Sequence, residues 1–264
     1  DKQGLISEFS SAINSYLMKE LSRRNMFRLV TPGTASGKVF KLQGDFEILD
    51  SSVLLTASLV DPSTDALKAS VQVSFAVSLI PNSMPTAPAN KAHAEEALEL
   101  NTSVLPEELK DTVALWVNHD NGMYRDGDNL IVNVKTSKNL YMRLYYIQSD
   151  GLICQIFPAG KNGSGYLRKG QVYQVGGTND AIELVISDET TGQEIIKAFA
   201  SLGPIKDESL PKDFSEAANY SCMTGGYRKL QEDLTRALKL KHKVRPVTET
   251  KILVTDKAVD ISQS

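Results

Sequence analysis

The sequence predicts an α+β fold, in which a small N-terminal helix-on-sheet domain precedes a mainly antiparallel β-sandwich domain with a C-terminal helix. Three observations support this prediction: an apolar stripe of helical period near the start, many runs of alternating apolar and polar residues, and a proline-rich segment between two groups of such runs. The expected domains are residues 1–80 and 112–264, with residues 81–111 as a linker that contains one short helical turn.

An amphipathic helix is expected over residues 4–24. Apolar residues recur there at every fourth position, and Arg23 and Arg24 stand at the end, where positive charge favours the helix dipole. A short strand is expected next, over residues 26–30. The apolar stripe of the helix consists of Leu5, Phe9, Ile13, Leu17 and Leu21.

Three strands are expected to complete the first domain. They cover residues 39–45, 47–60 and 66–79, and the last two are joined by a hairpin turn over Asp61–Asp65. Proline presets φ in such a turn, and aspartate bonds to the nearby backbone. The strict alternation of the second and third strands predicts one covered apolar face and one polar face.

The second domain is predicted from several short strands at nearly regular spacing, a pattern typical of a β-sandwich or barrel. A Ser-Asp-Gly sequence at residues 149–151 favours a hairpin turn. A leucine stripe predicts a helix over residues 226–240, followed by a basic run and a last strand over residues 250–255. The other expected strands lie at residues 113–118, 130–134, 140–146, 152–157, 170–175, 182–187 and 194–201.

Composition excludes some functions and leaves others open. The formal net charge of -3 argues against a nucleic-acid coat, and no apolar run is long enough to cross a bilayer. Two cysteines cannot form the usual zinc cage without histidines, and the three histidines lie at no ligand spacing. No metal or other cofactor is therefore expected. Cys154 and Cys222 either form a disulfide or remain as buried thiols, and the sequence favours neither.

A pair of aspartates, Asp126 and Asp128, flanks Gly127 between two expected strands. A calcium loop would need more oxygen ligands at spaced positions and a distal glutamate, which does not follow here. A turn is the preferred interpretation, because Asp and Gly accept backbone angles that other residues resist. A weak ion held by Asp120, Asn121 and Asp128 is the alternative.

No arrangement of catalytic residues is apparent. The stretch Gly33–Val39 has a spacing one residue too short for a phosphate-binding loop, and it precedes a strand instead of a helix. The loops expected at residues 121–128 and 161–166 are the candidate binding elements, because loops on a rigid β scaffold often carry binding. An aromatic stripe could line a binding groove, although sheet packing is the commoner explanation; it consists of Tyr141, Tyr145, Tyr146, Phe157, Tyr166 and Tyr173. The candidate binding residues from the loops, the stripe and the strand over residues 113–118 are Trp116, Asp126, Asp128, Tyr145, Lys161 and Tyr166.

Two resemblances follow from particular residues. The second domain resembles a bacterial domain family of unassigned function that often occurs in secreted, lipid-anchored or multidomain envelope proteins. The resemblance covers about ninety residues and implies no catalytic residues. The residues that carry it are Tyr124–Asp128, Leu140–Tyr146, Asp150 and Gly151, Ile156–Pro158, Gly170 and Glu194–Ala200.

The first domain is similar to the amino-terminal α/β domain shared by TolB, the curli-secretion lipoprotein and the lipoprotein activators of penicillin-binding proteins. The matching stretches are KELSRRNMFRLV and KLQGDFEILDSSVLLTASLVDPSTDAL. That family has a further strand before the helix, and this chain begins without it. The resemblance implies a module for binding and assembly, in the periplasm or at the outer membrane.

The two resemblances together imply a protein of the bacterial cell envelope that is not an enzyme and that binds another envelope protein. A glycan- or peptidoglycan-binding module, with Trp116 and the tyrosines as stacking platforms, is the alternative. A regulatory fragment of a larger envelope enzyme is a third possibility, suggested by the missing first strand.

Overall fold

A computed structural model of the protein forms two compact units, the first ending at Pro88 and the second beginning at Ala89. The second unit therefore takes in part of the segment that was expected to be a linker. The structure describes residues 4–24, 30, 39–61, 64, 66–99, 109, 112–120, 122–159, 163–177, 179–187, 189, 191–205, 214–217, 220–223 and 245–255.

The first unit begins with helix α1, Glu8–Arg23, which confirms the helix predicted from the apolar stripe. Ser7 caps its N-terminus: its hydroxyl accepts from the Ser10 amide at 3.2 Å, while the Ser10 hydroxyl accepts from the Ser7 amide at 2.8 Å. This reciprocal capping satisfies two backbone donors that the first turn would otherwise leave unpaired. Of the strand expected over residues 26–30, only Val30 lies among the described residues.

A three-stranded antiparallel sheet follows, with strands β1 (Lys41–Leu49), β2 (Ser52–Asp61) and β3 (Ala66–Ala76) in that order. The turn between β2 and β3 falls where it was predicted, and the amide of Thr64 donates to the carbonyl of Asp61. The first turn was placed wrongly, at residue 46. It lies at Asp50 and Ser51, because Asp50 adopts a φ of 50° that aspartate tolerates better than most residues.

The third strand is also shorter than expected, since residues 77–79 form a 3₁₀ helix. The core of the first unit lies between α1 and one end of the sheet, where the rings of Phe9 and Phe46 meet edge to face at 4.9 Å and Val53 is fully buried. Phe75 and Met84 pack at the margin of this cluster.

The second unit contains one helix and eleven strands among its described residues. Helix α2, Lys91–Glu99, lies within the segment that was expected to be a linker. The strands are β4 (Val113–Val117), β5 (Met123–Tyr124), β6 (Val132–Thr136), β7 (Leu140–Ile147), β8 (Ile153–Phe157), β9 (Tyr166–Leu167), β10 (Val172–Val175), β11 (Gly192–Ser201), β12 (Phe214–Ala217), β13 (Tyr220–Met223) and β14 (Arg245–Val254).

These strands form two sheets. The smaller has the order β10-β6-β4, and the larger has the order β12-β13-β8-β7-β11-β14-β5, with β9 paired to β7. All of these pairings are antiparallel except that of β14 with β5. Together with the few helices, this gives the α+β, mainly antiparallel architecture that the sequence predicts.

Three details of the second unit can be compared with the expected elements. The Ser-Asp-Gly turn joins β7 to β8 as a hairpin, and Gly151 takes a φ of 90° there. The strand expected over residues 182–187 was wrong: only two isolated bridges occur there, from Val185 to Asn129 and from Glu183 to Gly176. The helix expected over residues 226–240 lies outside the described residues, whereas the last expected strand is confirmed as part of β14.

The central strands β7 and β11 are buried on both faces. On one face, Met142 and Ile196 join a core cluster that also contains Leu115 and Val134 of the smaller sheet. On the other face, Tyr145 and Phe199 join a second cluster that includes Ala97 of α2. Alanine at the helix surface permits this close approach, because it adds little side-chain volume.

The larger sheet also contains a disulfide between Cys154 on β8 and Cys222 on β13, which are paired directly across the two strands. This settles the pairing that the sequence left open. Both side chains are buried, so the bond lies within the core and not on the surface. Among the described residues, no helix is long and apolar enough to span a membrane.

Candidate functional site

The segment Asp126–Asp128 is a turn, as preferred from the sequence. One carboxylate oxygen of Asp128 accepts from the Arg125 amide at 2.8 Å, and Gly127 adopts a φ of 80°. The amide of Gly127 also donates to the carbonyl of Ile186, which fixes the turn to a neighbouring segment. Asp126 is exposed, and the part of the chain that the structure describes contains no group of three acidic, histidine or cysteine side chains that could hold a metal ion.

Tyr145 lies in the core and not on a binding surface, which corrects its choice as a candidate binding residue. Its side chain is fully buried, and its ring meets that of Phe199 edge to face at 5.5 Å. Burial raises the pKa of its hydroxyl group. The alternation of β7 gave no warning, because the face that carries Tyr145 is covered by a helix that the sequence did not assign to this unit.

The remaining candidates do not form one platform. Trp116 lies half-buried on β4, opposite Asn133, in the smaller sheet. Tyr166 lies on β9 of the larger sheet, where it is 41% exposed and its ring stands 5.2 Å from that of Tyr141. Lys161 lies outside the described residues.

A buried polar cluster around Glu194, on β11, was not predicted. Glu194 is 4% exposed, and its carboxyl group accepts hydrogen bonds from the hydroxyl of Tyr146 and, at 3.1 Å, from the amide of Ser149. Removal from water raises the pKa of this carboxyl to about 7, although hydrogen bonds from Tyr146 and Ser149 act in the opposite direction. The only sequence signal was the presence of Glu194 and Lys197 within an expected strand that is mostly apolar.

The same cluster connects the sheet to the start of α2. The carbonyl of Ser149 accepts from the side-chain amide of Asn90 at 3.1 Å and lies 3.2 Å from a ring nitrogen of His93. The Asn90 side chain also bonds to both backbone groups of Gln193. Closer to the end of the helix, Lys197 is buried and donates to the carbonyl of Ala97 at 2.8 Å. These contacts dock the helix on β11.

The described surface with the clearest capacity for binding is the outer edge of β3 in the first unit. This strand ends its sheet, and among the described residues its backbone pairs with β2 alone. Eight consecutive residues, from Leu67 to Ser74, are exposed. Val71 is 58% and Val73 is 50% exposed, although both lie on the apolar face that α1 covers farther along.

The composition of β3 is unusual for a strand at the edge of a sheet. Natural edge strands commonly carry lysine, proline or bulges that block pairing with another chain. Here the single charged residue, Lys68, sits at a bulge near the start of β3, and residues 69–76 pair with β2 in regular register. That regular stretch has no charge and no proline, and it is therefore open to pairing.

Comparison with known families places one domain within this chain. Residues 123–204 match a family described as a domain of unknown function, DUF4384. The match runs from β5 to the end of β11 and confirms a domain of unknown function in the C-terminal half, as the resemblance implied. No curated protein and no solved structure gives a significant match to the chain.

Proposed function

We propose that this protein is a non-enzymatic module of the bacterial cell envelope that binds another protein through the outer edge of β3. The observation that carries the proposal is the uncharged and regular edge over residues 69–76, which pairs only with β2 in the part of the chain that the structure describes and carries two exposed valines. An edge strand can add an extended segment from a partner, in which backbone hydrogen bonds supply affinity and alternate side chains supply specificity.

A location in the cell envelope is supported by the disulfide and by the resemblances. Disulfides persist in oxidising compartments such as the periplasm and are rare in the cytosol. The bond between Cys154 and Cys222 is buried, so it is part of the folded core and not a surface cross-link. The resemblance of the second unit to a family common in envelope proteins agrees with that location.

The second unit would act as a rigid β-sandwich that accompanies the binding domain. Its two sheets share one hydrophobic cluster, which supports a sandwich arrangement. Because its central strands are buried on both faces, we infer that it provides stability and leaves contact with partners to loops and edges.

Affinity capture tests the proposal, with the purified chain as bait for envelope extract and mass spectrometry as the readout. One variant bait carries Val71→Lys and Val73→Lys, which place two charges beside the free edge of β3. A matched control carries Leu42→Lys and Gln43→Lys, which add the same charge to exposed positions on β1, at the opposite edge.

We expect one envelope protein to be enriched by the wild type and the β1 control and to be lost with the β3 variant. Equal retention on all three baits would show that β3 is not the contact. Circular dichroism of each bait separates a lost contact from a lost fold.

Glycan binding is the second candidate, and the observation that favours it is the exposed ring of Tyr166 beside Tyr141. Aromatic rings with one apolar face and a polar tip suit contact with sugars. Calorimetric titration with peptidoglycan fragments tests this candidate. Saturable heat that disappears in Tyr166→Ala would support glycan binding at this ring. Equal heat in Tyr166→Ala and the wild type would show that Tyr166 does not contact the glycan.

A further inference from the structure

We propose that the partner at the β3 edge is the β3 strand of a second copy of this chain, paired antiparallel about a two-fold axis through Gln72. The inference rests on the proposed function, because it names the partner of the same edge. Such pairing would join two three-stranded sheets into one continuous sheet of six strands. A closed two-fold contact uses the same patch on both copies, so the patch must complement itself.

The sequence of β3 has that property. Residues 70–74 read Ser-Val-Gln-Val-Ser, which is the same in both directions. In an antiparallel pair, directly opposite residues lie on the same face of the sheet. With the axis at Gln72, each Val71 faces a Val73 of the other copy, each Ser70 faces a Ser74, and the two Gln72 residues face each other.

The next pair outward, Ala69 with Phe75, keeps the same pattern of apolar residues opposite apolar residues. All seven residues from 69 to 75 are uncharged, so no like charges meet in this register. Lys68, at the bulge, lies just beyond them and stands 4.0 Å from Asp61 of its own copy. The charge and the bulge therefore mark where pairing would end.

Pairing would also cover exposed side chains on both faces of the sheet. Val71 and Val73, half or more exposed in the single copy, would gain valine neighbours across the new strand pair. On the opposite face, Gln72 already donates to Thr56 at 3.3 Å, and Ser70 lies 3.1 Å from Ser58. These bonds hold both polar side chains in place on the face that the second copy would extend.

Sedimentation of charge variants of the full chain tests the inference. The concentration range is about 1 μM to 1 mM, which covers the affinities expected of a small interface. A variant with Val71→Lys and Val73→Lys places lysine opposite lysine twice, and one with Val71→Glu and Val73→Glu does the same with glutamate. We expect each to raise the dimer dissociation constant at least about tenfold, because like charges directly opposite are destabilising.

Mixing the two variants supplies the decisive result. In the proposed register, every lysine of one variant faces a glutamate of the other, so a one-to-one mixture should form a heterodimer although each variant alone is monomeric. Both positions are largely exposed, and thermal melts are expected to show that each variant folds. A wild type that stays monomeric over the whole range, or a mixture that does not associate, overturns the inference.

A single cysteine locates the axis. In Gln72→Cys the two new thiols face each other across the dimer, and mild oxidation should cross-link most of the protein. Thr56→Cys, on the middle strand of the same sheet, is the matched control and should remain uncross-linked. The native cysteines are already joined to each other. If this dimer is absent but capture by the β3 edge persists, the inference fails and the proposed function stands.

Discussion

The hydroxyl group of Tyr146 donates a hydrogen bond to the carboxyl group of Glu194, and both side chains are buried within the second unit. A carboxylate in such a place normally has a cationic partner, since burial of an unpaired charge is unfavourable. No ion pair to Glu194 occurs among the described residues. The groups of Tyr146 and Ser149 that donate to it are neutral, and the burial of Glu194 therefore makes the stability of the second unit depend on pH.

We expect the free energy of unfolding of the second unit to fall as pH rises from about 4.5 to about 7. Burial raises the pKa of Glu194 from 4.5 to about 7, so the folded state binds more protons than the unfolded state between these values. The contribution of protonated Glu194 to the free energy of unfolding is fully present below pH 4.5 and is lost once the pH passes about 7. The full difference corresponds to about 3 kcal/mol.

Urea unfolding at a series of pH values measures this dependence, with tryptophan fluorescence as the readout. Trp116 is the only tryptophan, and it reports on the second unit. In Glu194→Gln the slope between pH 4.5 and 7 should flatten, because the amide does not ionise. Glu183→Gln, at an exposed position, is the control and should keep the wild-type slope. An unchanged slope in Glu194→Gln would assign the pH dependence to other groups.

The strands could be predicted because side chains alternate strictly with a period of two, and most of the fold follows from that pattern. The burial of β7 and β11 on both faces could not be predicted, since it depends on α2. That helix lies in a segment whose prolines and small residues are typical of a linker. The small side chains of Ala94 and Ala97 are nevertheless buried, and they allow the helix to lie close to the sheet. The pairing of cysteines 68 residues apart likewise depends on which strands become neighbours.

The candidate site was the less predictable part. Sequence patterns identified loops and aromatic residues, and the structure places Tyr145 in the core. The exposed edge of β3 had no local signal, because alternation looks the same in a paired strand and in an edge strand. Only the strand order shows that β3 ends its sheet.

Lys197→Met should loosen α2. The buried side-chain nitrogen of Lys197 donates to the carbonyl of Ala97, and methionine fills a similar volume without a donor. We expect a loss of about 1–3 kcal/mol, the cost of leaving the buried carbonyl of Ala97 without its donor. Hydrogen exchange measured by mass spectrometry should be faster across Lys91–Glu99.

Lys91→Met is the control for this change within the same helix. Lys91 is 54% exposed and stands 3.8 Å from Glu95, and such surface pairs contribute little. Hydrogen exchange across α2 in Lys91→Met should match that of the wild type. Equal protection of the helix in Lys197→Met and the wild type would show that α2 stays docked without the Lys197 bond, through its apolar contacts and the bonds of Asn90.

Loss of the disulfide should destabilise the second unit strongly. Cys154 and Cys222 are 68 residues apart, and closing a loop of this length stabilises the folded state by about 4 kcal/mol in the chain-entropy description. Urea unfolding of Cys154→Ala with Cys222→Ala, compared with the wild type, measures the loss. Intact mass of the purified wild type after alkylation in denaturant without reductant should show no free thiol, and labelling of both cysteines would contradict the bond.

Two glycines with similar backbone angles should respond differently to alanine. Gly176 has a φ of 93°, and an added Cβ atom would collide with the backbone carbonyl oxygen of Leu130. Gly127 has a φ of 80°, but a Cβ atom there would meet nothing within 4 Å. Both substitutions carry the strain of positive φ, about 1 kcal/mol or more, and only Gly176→Ala adds a clash with rigid backbone.

We therefore expect Gly127→Ala to lower the stability of the second unit by about 1 kcal/mol and Gly176→Ala by about 3 kcal/mol or more. Thermal melts followed by tryptophan fluorescence compare the two directly. The larger loss arises because Gly176 lies where the segment around Leu184 closes against Leu130, whose amide donates to the Leu184 carbonyl at 2.8 Å. Equal losses would show that this segment can move aside, and that backbone strain alone sets the preference for glycine at both positions.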